Sequence, residues 1–219
     1  MTHRMRLPKY VCDYSLTSRC PVRKSAELRK AEIVATVLDL ADGIGPDRVT
    51  TGAVASQIGV TQAALFRHFP TKDALWQAVA EHVAEGLALA WDGALNLGDG
   101  PLVRLRALIA AQFAQIAATP ALPMLLFSRE LNVTNAELRA TFHGRLTTFH
   151  GLLATEIRTA QEAGVLRGDM PANDAAVLLT SLVQGVAIRW ALGARDFDLR
   201  AEGLRLFDVQ CRLLAAEGK

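Results

Sequence analysis

Residues 51–68 read TGAVASQIGVTQAALFRH, and this stretch decides the fold. It predicts two short helices joined by a tight turn at Gly59, because glycine adopts the left-handed backbone of such a turn without a Cβ clash. Ala55 is small enough to let the helices cross closely, and Thr50 and Thr61 stand where N-cap residues belong. Helices this short need tertiary support, so we expect a helix-turn-helix packed against a neighbouring helix.

The rest of the chain is helical by its pattern. Apolar residues recur at three- and four-residue spacing, and no alternating strand pattern persists. The expected helices span about 25–43, 50–58, 62–68, 71–96, 101–118, 120–131, 134–164, 171–192 and 198–216. We therefore predict an all-α protein of about nine helices.

Prolines and asparagines divide the middle of the chain. Asn96–Gly100 is the clearest linker, and Pro101 suits the first position of a helix. Pro120 and Pro123 are expected to bracket a short helix that ends near Leu131. A break at 132–135 follows, with Thr134 as the expected cap of the next helix.

Length and composition exclude several classes of protein. The 219 residues are 51% apolar and 21% charged, which excludes an intrinsically disordered chain and predicts one or two domains. No uncharged apolar run reaches about 18 residues, so we expect no membrane partner. The cysteines (Cys12, Cys20 and Cys211) are odd in number and lack the spacing of a metal site. They favour a reducing cytoplasm, and we predict neither a metal nor a cofactor.

The positive charge is concentrated towards the N-terminus. Residues 1–80 hold 11 Lys and Arg against 7 Asp and Glu, whereas residues 81–219 hold 13 against 15. We interpret residues 1–24 as a flexible basic leader whose Arg23 and Lys24 reach a DNA groove or are simply solvated. This distribution favours an anionic partner, with nucleic acid as the leading candidate.

The run GVTQAALFRHFPTKDAL at 59–75 resembles the DNA-binding domain of the TetR family of transcriptional repressors. The resemblance covers residues 27–76, and its matching positions are Thr50, Val54, Ala55, Gly59, Val60, Thr61, Leu65, Phe66, His68, Phe69, Lys72 and Asp73. It implies a helix-turn-helix domain over 25–76, with three helices, and a ligand-binding and dimerisation domain over 77–219.

The resemblance also implies which residues touch DNA. Gln62–His68 is the recognition helix, in which Gln62 suits adenine and the methyl groups of alanines suit thymine. Lys72 and His68 are candidates for phosphate contacts, and Phe66 replaces a usual tyrosine whose hydroxyl bonds phosphate. The candidate DNA-binding residues are Thr50, Thr51, Thr61, Gln62, Ala63, Phe66, Arg67, His68 and Lys72. A purely structural interpretation stays open for each: a cap, a packing residue or a solvated charge.

Apolar side chains of the middle helices are candidates for the walls of a ligand cavity, although each one is also a normal core residue. The candidate walls are Phe113, Met124, Phe127, Phe142, Phe149 and Trp190. Polar contacts are expected from Arg129, His143, Arg145, His150 and Gln184, and of these His143 is counted with the walls as a candidate ligand-binding residue. His143 and His150 share a helix face, but the sequence offers no third ligand, so we predict no metal site.

Two stripes near the C-terminus are candidates for a dimer surface, or for packing within one subunit. The first stripe contains Val177, Leu178, Ser181, Leu182, Gly185 and Ile188. The second stripe contains Leu204, Phe207, Cys211 and Leu214.

The expected function is therefore that of a dimeric, sequence-specific transcriptional regulator, a repressor that a small apolar or amphipathic effector releases from a palindromic operator in double-stranded DNA. The alternative is a helix-turn-helix protein that organises the chromosome or scaffolds partners without controlling a promoter. An enzyme is not expected, since the chain lacks a nucleophile elbow, a Walker loop, a dinucleotide fingerprint and a zinc motif.

Overall fold

The computed structural model describes residues 25–216, and within this range the secondary structure is helical apart from one isolated bridge between Leu166 and Ala215. The helices are α1 Ala26–Ile44, α2 Thr51–Gln57, α3 Gln62–Phe66, α4 Lys72–Leu95, α5 Pro101–Ala118, α6 Leu122–Phe127, α7 Arg129–Thr134, α8 Ala136–Glu162, α9 Ala172–Leu192 and α10 Leu199–Leu214, with a 3₁₀ turn at Pro46–Arg48. The predicted leader at 1–24, with Arg23, Lys24, Cys12 and Cys20, lies outside the described residues.

The described range contains ten α-helices rather than about nine, because Ser128 divides the helix predicted over 120–131. The Ser128 hydroxyl accepts a hydrogen bond from the Leu131 amide at 3.0 Å, which ends α6 and caps α7. Pro123 lies in the first turn of α6, where its missing N–H costs nothing. The prediction of Thr134 as the next cap is wrong: its hydroxyl bonds back to Glu130 inside α7, and Asn135 precedes α8.

Helix α4 joins the two halves of the molecule. It packs against α1 near its start and against α5 and α8 further along. Trp76, Val79 and Ala80 are almost completely buried, as the three- and four-residue spacing of its apolar residues requires. Any shift of α4 therefore involves both the N-terminal helices and the C-terminal bundle.

Helices α5, α8, α9 and α10 form that bundle. α10 approaches α5 closely at Gly203, where an added Cβ would lie 2.2 Å from Cε2 of Phe113. Arg104 on α5 and the buried Glu156 on α8 form an ion pair at 2.9 Å. These contacts fix the positions of the helices around the bundle core.

One helix of the described residues, α9, is long and apolar enough to span a membrane by length and composition alone. Its buried side chains pack against α8 and α10, as those of a core helix do.

Candidate nucleic-acid interface and ligand cavity

Helices α2 and α3 form the predicted helix-turn-helix. Gly59 has a φ of +68°, as its turn requires, and the Val60 amide donates to the carbonyl of Ala55 at 2.9 Å. The amide Nε2 of Gln62 donates to Oγ1 of Thr51 at 2.5 Å, which joins the first residues of the two helices. The pair is therefore held in one orientation by backbone and side-chain bonds.

The outward face of α3 carries most of the predicted base-reading residues. Gln62, Ala63, Phe66 and Arg67 are exposed, whereas Leu65 on the opposite face is completely buried. The helix is shorter than the predicted Gln62–His68. It ends at Phe66, and Arg67 is its C-cap, so Arg67 and His68 follow the helix rather than form its last turn.

Three threonines cap the helices of this domain. The hydroxyl oxygens of Thr50, Thr61 and Thr71 accept from backbone amides three residues later, at 3.1, 3.2 and 3.0 Å. The capping prediction for Thr50 and Thr61 is thus confirmed, and each hydroxyl keeps a hydrogen to donate. Lys72, the first residue of α4, is exposed beside these helix starts.

The segment from the end of the 3₁₀ turn to the start of α4 carries only positive charge, and the exposed Asp47 and Asp73 lie on either side of it. Residues 48–72 contain Arg48, Arg67 and Lys72 and no Asp or Glu. All three cationic side chains are exposed. An exposed helix between basic side chains and free amide ends is suited to a polyanion with grooves.

A cavity of about 260 Å³ lies between α4, α5, α6, α8 and α9. Three of the predicted walls line it: Phe127, Phe142 and Phe149. Three of the predicted polar residues, His143, Arg145 and Gln184, line it as well.

The other predicted wall residues lie elsewhere. Phe113 is completely buried against Gly203 in the packing of α5 on α10. Met124 is 43% exposed on the outside of α6, and Trp190 lies under the guanidinium of Arg195, 5.2 Å from its ring centroid. His150 and Arg129 do not line the cavity either. Burial lowers the pKa of His150.

Several lining residues were not predicted, among them Leu87, Trp91, Arg139 and Thr180. Trp91 stacks on Phe149, with 5.1 Å between the ring centroids, and its indole N–H donates to Gln112 at 2.9 Å. The only sequence signal for Trp91 was a large aromatic residue on an apolar stripe, which is equally typical of a core.

The cavity wall touches the helix-turn-helix domain. The Ser128 hydroxyl, between α6 and α7, donates to Oδ1 of Asp47 in the 3₁₀ turn at 2.6 Å. Phe127, the preceding residue, lines the cavity. A second link joins Arg195, after α9, to Asp42 on α1.

The two C-terminal stripes differ in exposure. On α9, Val177 and Leu178 are 48% and 47% exposed, and Ser181 and Gly185 are also exposed. On α10, Phe207 and Leu214 pack within the subunit and are 2% and 4% exposed, whereas Leu204 and Cys211 are half-buried. Of the two stripes, that of α9 is therefore the more exposed.

Most of the described chain is similar to known regulators. Residues 33–79 match the sequence model for bacterial regulatory proteins of the tetR family, and residues 101–209 match that for the C-terminal part of BetI-type transcriptional repressors. A protein named nucleoid occlusion factor SlmA from Marinobacter nauticus is 30% identical over 139 residues, which cover 64% of this chain and 69% of that protein.

Two further similarities extend over more of the chain. The HTH-type transcriptional regulator BetI from Burkholderia thailandensis is 28% identical over 193 residues, 87% of this chain and 95% of that protein. A putative transcriptional regulator from Saccharomonospora viridis, solved in complex with choline, superimposes with a TM-score of 0.76 at 21% identity, covering 87% of this chain and 100% of that one. The chain spans only 57% of the length of several other curated relatives.

Proposed function

Because the chain belongs to the TetR family of bacterial regulatory proteins and carries a BetI-type C-terminal domain, we propose that it is a dimeric, sequence-specific DNA-binding transcriptional regulator. In this proposal it represses a promoter from a palindromic operator and leaves the DNA when a small molecule binds. It acts in the cytoplasm, where the DNA is, and has no catalytic role.

The exposed face of α3 is the observation that carries this proposal. A helix that buries Leu65 on one side and exposes Gln62, Ala63 and Phe66 on the other fits the major groove, about 12 Å wide. We assign base reading to Gln62: its hydrogen bond to Thr51 orients the side chain and leaves Oε1 and the second Nε2 hydrogen for a base edge. The acid-free segment 48–72 adds attraction to phosphates of any sequence.

The base-reading and phosphate roles are separable by mutation. Lys72→Ala should weaken binding to operator and unrelated DNA alike and reduce the slope of log K against log salt by about one. Gln62→Ala should lower the operator affinity while leaving unrelated DNA unchanged, at a cost of about 1–3 kcal/mol. Titration of labelled upstream DNA, with unrelated DNA as competitor, measures both.

Arg158→Ala is the control for these variants, because Arg158 is an exposed arginine on α8, outside the helix-turn-helix domain. It should bind DNA as the unmodified protein does. If Lys72→Ala and Gln62→Ala also behave like this control, the proposed interface is wrong.

The effector site that we propose is the cavity lined by Phe127, Phe142, His143 and Phe149. Its mixture of aromatic walls and a few polar groups is typical of small-molecule sites and suits an apolar or amphipathic compound. A bound effector contacts Phe127 and can therefore displace the adjacent Ser128. The hydroxyl of Ser128 donates to Asp47 in the helix-turn-helix domain, so the displacement reaches that domain. A differential binding energy of about 1.4 kcal/mol is enough to change operator affinity tenfold.

The dimer that we propose uses the exposed stripe of α9. Two recognition helices about 34 Å apart are needed to read two half-sites of a palindrome. Val177→Asp should leave the fold intact, because Val177 is 48% exposed, and should abolish the proposed dimer, because the interface would then bury an unpaired carboxylate from each copy. Sedimentation velocity measures the mass of both proteins.

A chromosome-organising role is the second candidate, and the curated relatives named nucleoid occlusion factors favour it. It predicts binding at many chromosomal positions and no change in transcription when the gene is deleted. Mapping of bound sites together with transcript levels in the deletion strain separates the two functions.

A further inference from the structure

The charges around the cavity are all of one sign. Two arginines of α8, Arg139 and Arg145, line it together with the uncharged polar His143 of the same helix, and no Asp or Glu does. From these groups we infer that the natural occupant is an amphipathic organic anion, a carboxylate or comparable acid with an apolar body. This inference rests on the proposed role of the cavity as the effector site.

Most uncharged polar groups of the wall are already used within the protein. Gln112 accepts from Trp91, the Thr180 hydroxyl donates to the carbonyl of Ala176, and the side-chain amide of Asn132 donates to three carbonyls, those of Leu125, Leu126 and Ser128. These groups complete the wall and leave few hydrogen bonds for a ligand.

The arginines and His143 are different. Neither the imidazole of His143 nor the guanidinium of Arg145 has a hydrogen-bond or ion-pair partner among the described residues, and the contact of the Arg139 guanidinium with the Asn132 carbonyl is long, at 3.5 Å. Glu81 and Glu85 border the shallow groove on the other side of Arg145, but no ion pair within 4.0 Å joins either of them to it. Arg145 is thus a half-buried cation without a counter-ion, and a guanidinium in that setting favours a carboxylate.

The cavity has polar and charged residues in its exposed part and apolar residues in its buried part. Arg139 and His143 are exposed and Arg145 is half-buried, whereas Trp91, Phe142 and Phe149 are 2%, 6% and 3% exposed. A ligand that fits both parts has an apolar body in contact with the rings and an acidic group near the arginines. A cation such as choline, which occupies the solved Saccharomonospora viridis regulator, would be repelled by these arginines and find no carboxylate in the wall.

A matched set of probes tests the inference in the absence of DNA. Octanoate, 1-octanol and octyltrimethylammonium share one chain length and differ in charge, and choline supplies the bare cation. Isothermal titration of the full-length protein should show octanoate binding at least about tenfold more tightly than the alcohol and both cations, the gain expected of one charge-assisted hydrogen bond.

Variants of Arg145 test whether this side chain causes the preference for octanoate. Arg145→Gln should weaken octanoate binding about tenfold and leave 1-octanol unchanged, while Arg145→Lys should retain more of the affinity for octanoate. Arg158→Gln removes the same charge from an exposed site on the same helix and should change nothing. Circular dichroism and the melting temperature show that each variant is folded.

Three results would overturn the inference: no binding of octanoate, equal binding of all probes, or tighter binding of a cation. None of them bears on DNA binding, which is measured separately with upstream DNA. Conversely, a protein that binds octanoate selectively but no DNA would overturn the proposed function and leave the ligand class standing.

Discussion

At residue 66, the hydroxyl that distinguishes tyrosine from phenylalanine is expected to affect the affinity for DNA. The ring of Phe66 is 37% exposed on α3, beside the arginine that follows the helix. The resemblance to the TetR family implies a tyrosine at this position, whose hydroxyl would bond a phosphate. Phenylalanine lacks that hydroxyl, so we predict that the proposed interface is without this contact.

Phe66→Tyr should therefore tighten DNA binding. One added hydrogen bond to phosphate contributes about 0.5–1.5 kcal/mol, and the gain should be equal for operator and unrelated DNA because phosphates carry no sequence. Titrations on both DNAs measure it. A gain confined to the operator would place residue 66 at a base edge instead.

Cys211 is expected to be an unreactive thiol. Burial, with a smaller contribution from the negative charge of Asp208, raises its pKa to about 11 from 9.0. At pH 8 the thiolate fraction should be about a hundredfold lower than that of an unperturbed cysteine, because each pKa unit is a factor of ten. Iodoacetamide labelling of a Cys12→Ser/Cys20→Ser variant measures the rate, and labelling as fast as in the unfolded protein would contradict this assignment.

At the scale of elements, the contact of α10 with α5 depends on the absence of one side chain. Gly203→Ala would place a methyl group 2.2–2.6 Å from three ring atoms of Phe113, which is completely buried. Overpacking of this kind should lower the free energy of unfolding by about 1–3 kcal/mol. Urea denaturation followed by circular dichroism measures the change.

Gly151→Ala is the matched control for this variant. Gly151 also lies inside a helix, α8, but a Cβ there has no neighbour within 4 Å. Because alanine has a higher helix propensity than glycine, this variant should have a free energy of unfolding that is about 0.5–1 kcal/mol higher. Equal effects of the two alanines would mean that Gly203 does not mediate the contact between the helices.

The elements that the sequence predicted well are those fixed by local chemistry. The caps Thr50 and Thr61 and the turn at Gly59 depend on neighbours within a few residues, and all three are found as predicted. Ser128 was missed because its context, between the apolar run Leu125–Phe127 and Arg129-Glu130-Leu131, also suits a continuous helix. Only packing against the N-terminal domain and the hydrogen bond to Asp47 distinguish the two.

The ligand cavity was less predictable for the same reason. Phe113 and Trp91 are both large aromatic residues on apolar stripes, yet one fills the core and the other lines the cavity. Their roles depend on which helix lies opposite, a property of tertiary packing that spacing along the chain does not contain. The DNA-binding assignments stay predictions that the proposed variants test.

At the scale of the whole molecule, the link between Ser128 and Asp47 joins the cavity wall to the helix-turn-helix domain. Asp47→Ala removes that link and keeps the Ser128 cap of α7. We expect unchanged effector affinity and a reduced effect of the effector on operator binding, by about twofold to tenfold, the value of one hydrogen bond. Operator titration with and without effector measures this coupling.

Asp99→Ala is the control for charge, since Asp99 is an exposed aspartate in the linker before α5. It should leave the coupling unchanged. Undiminished coupling in Asp47→Ala would show that the signal passes by another route, such as the α4 helix that both halves share.

A footprint of the purified protein on its own upstream DNA tests most directly whether two copies of α3 read one discrete DNA site. We expect one protected region with two-fold symmetry, its two halves centred about one helical turn apart, bound by an even number of chains. Uniform protection along the whole fragment, or none even at low salt, would contradict it.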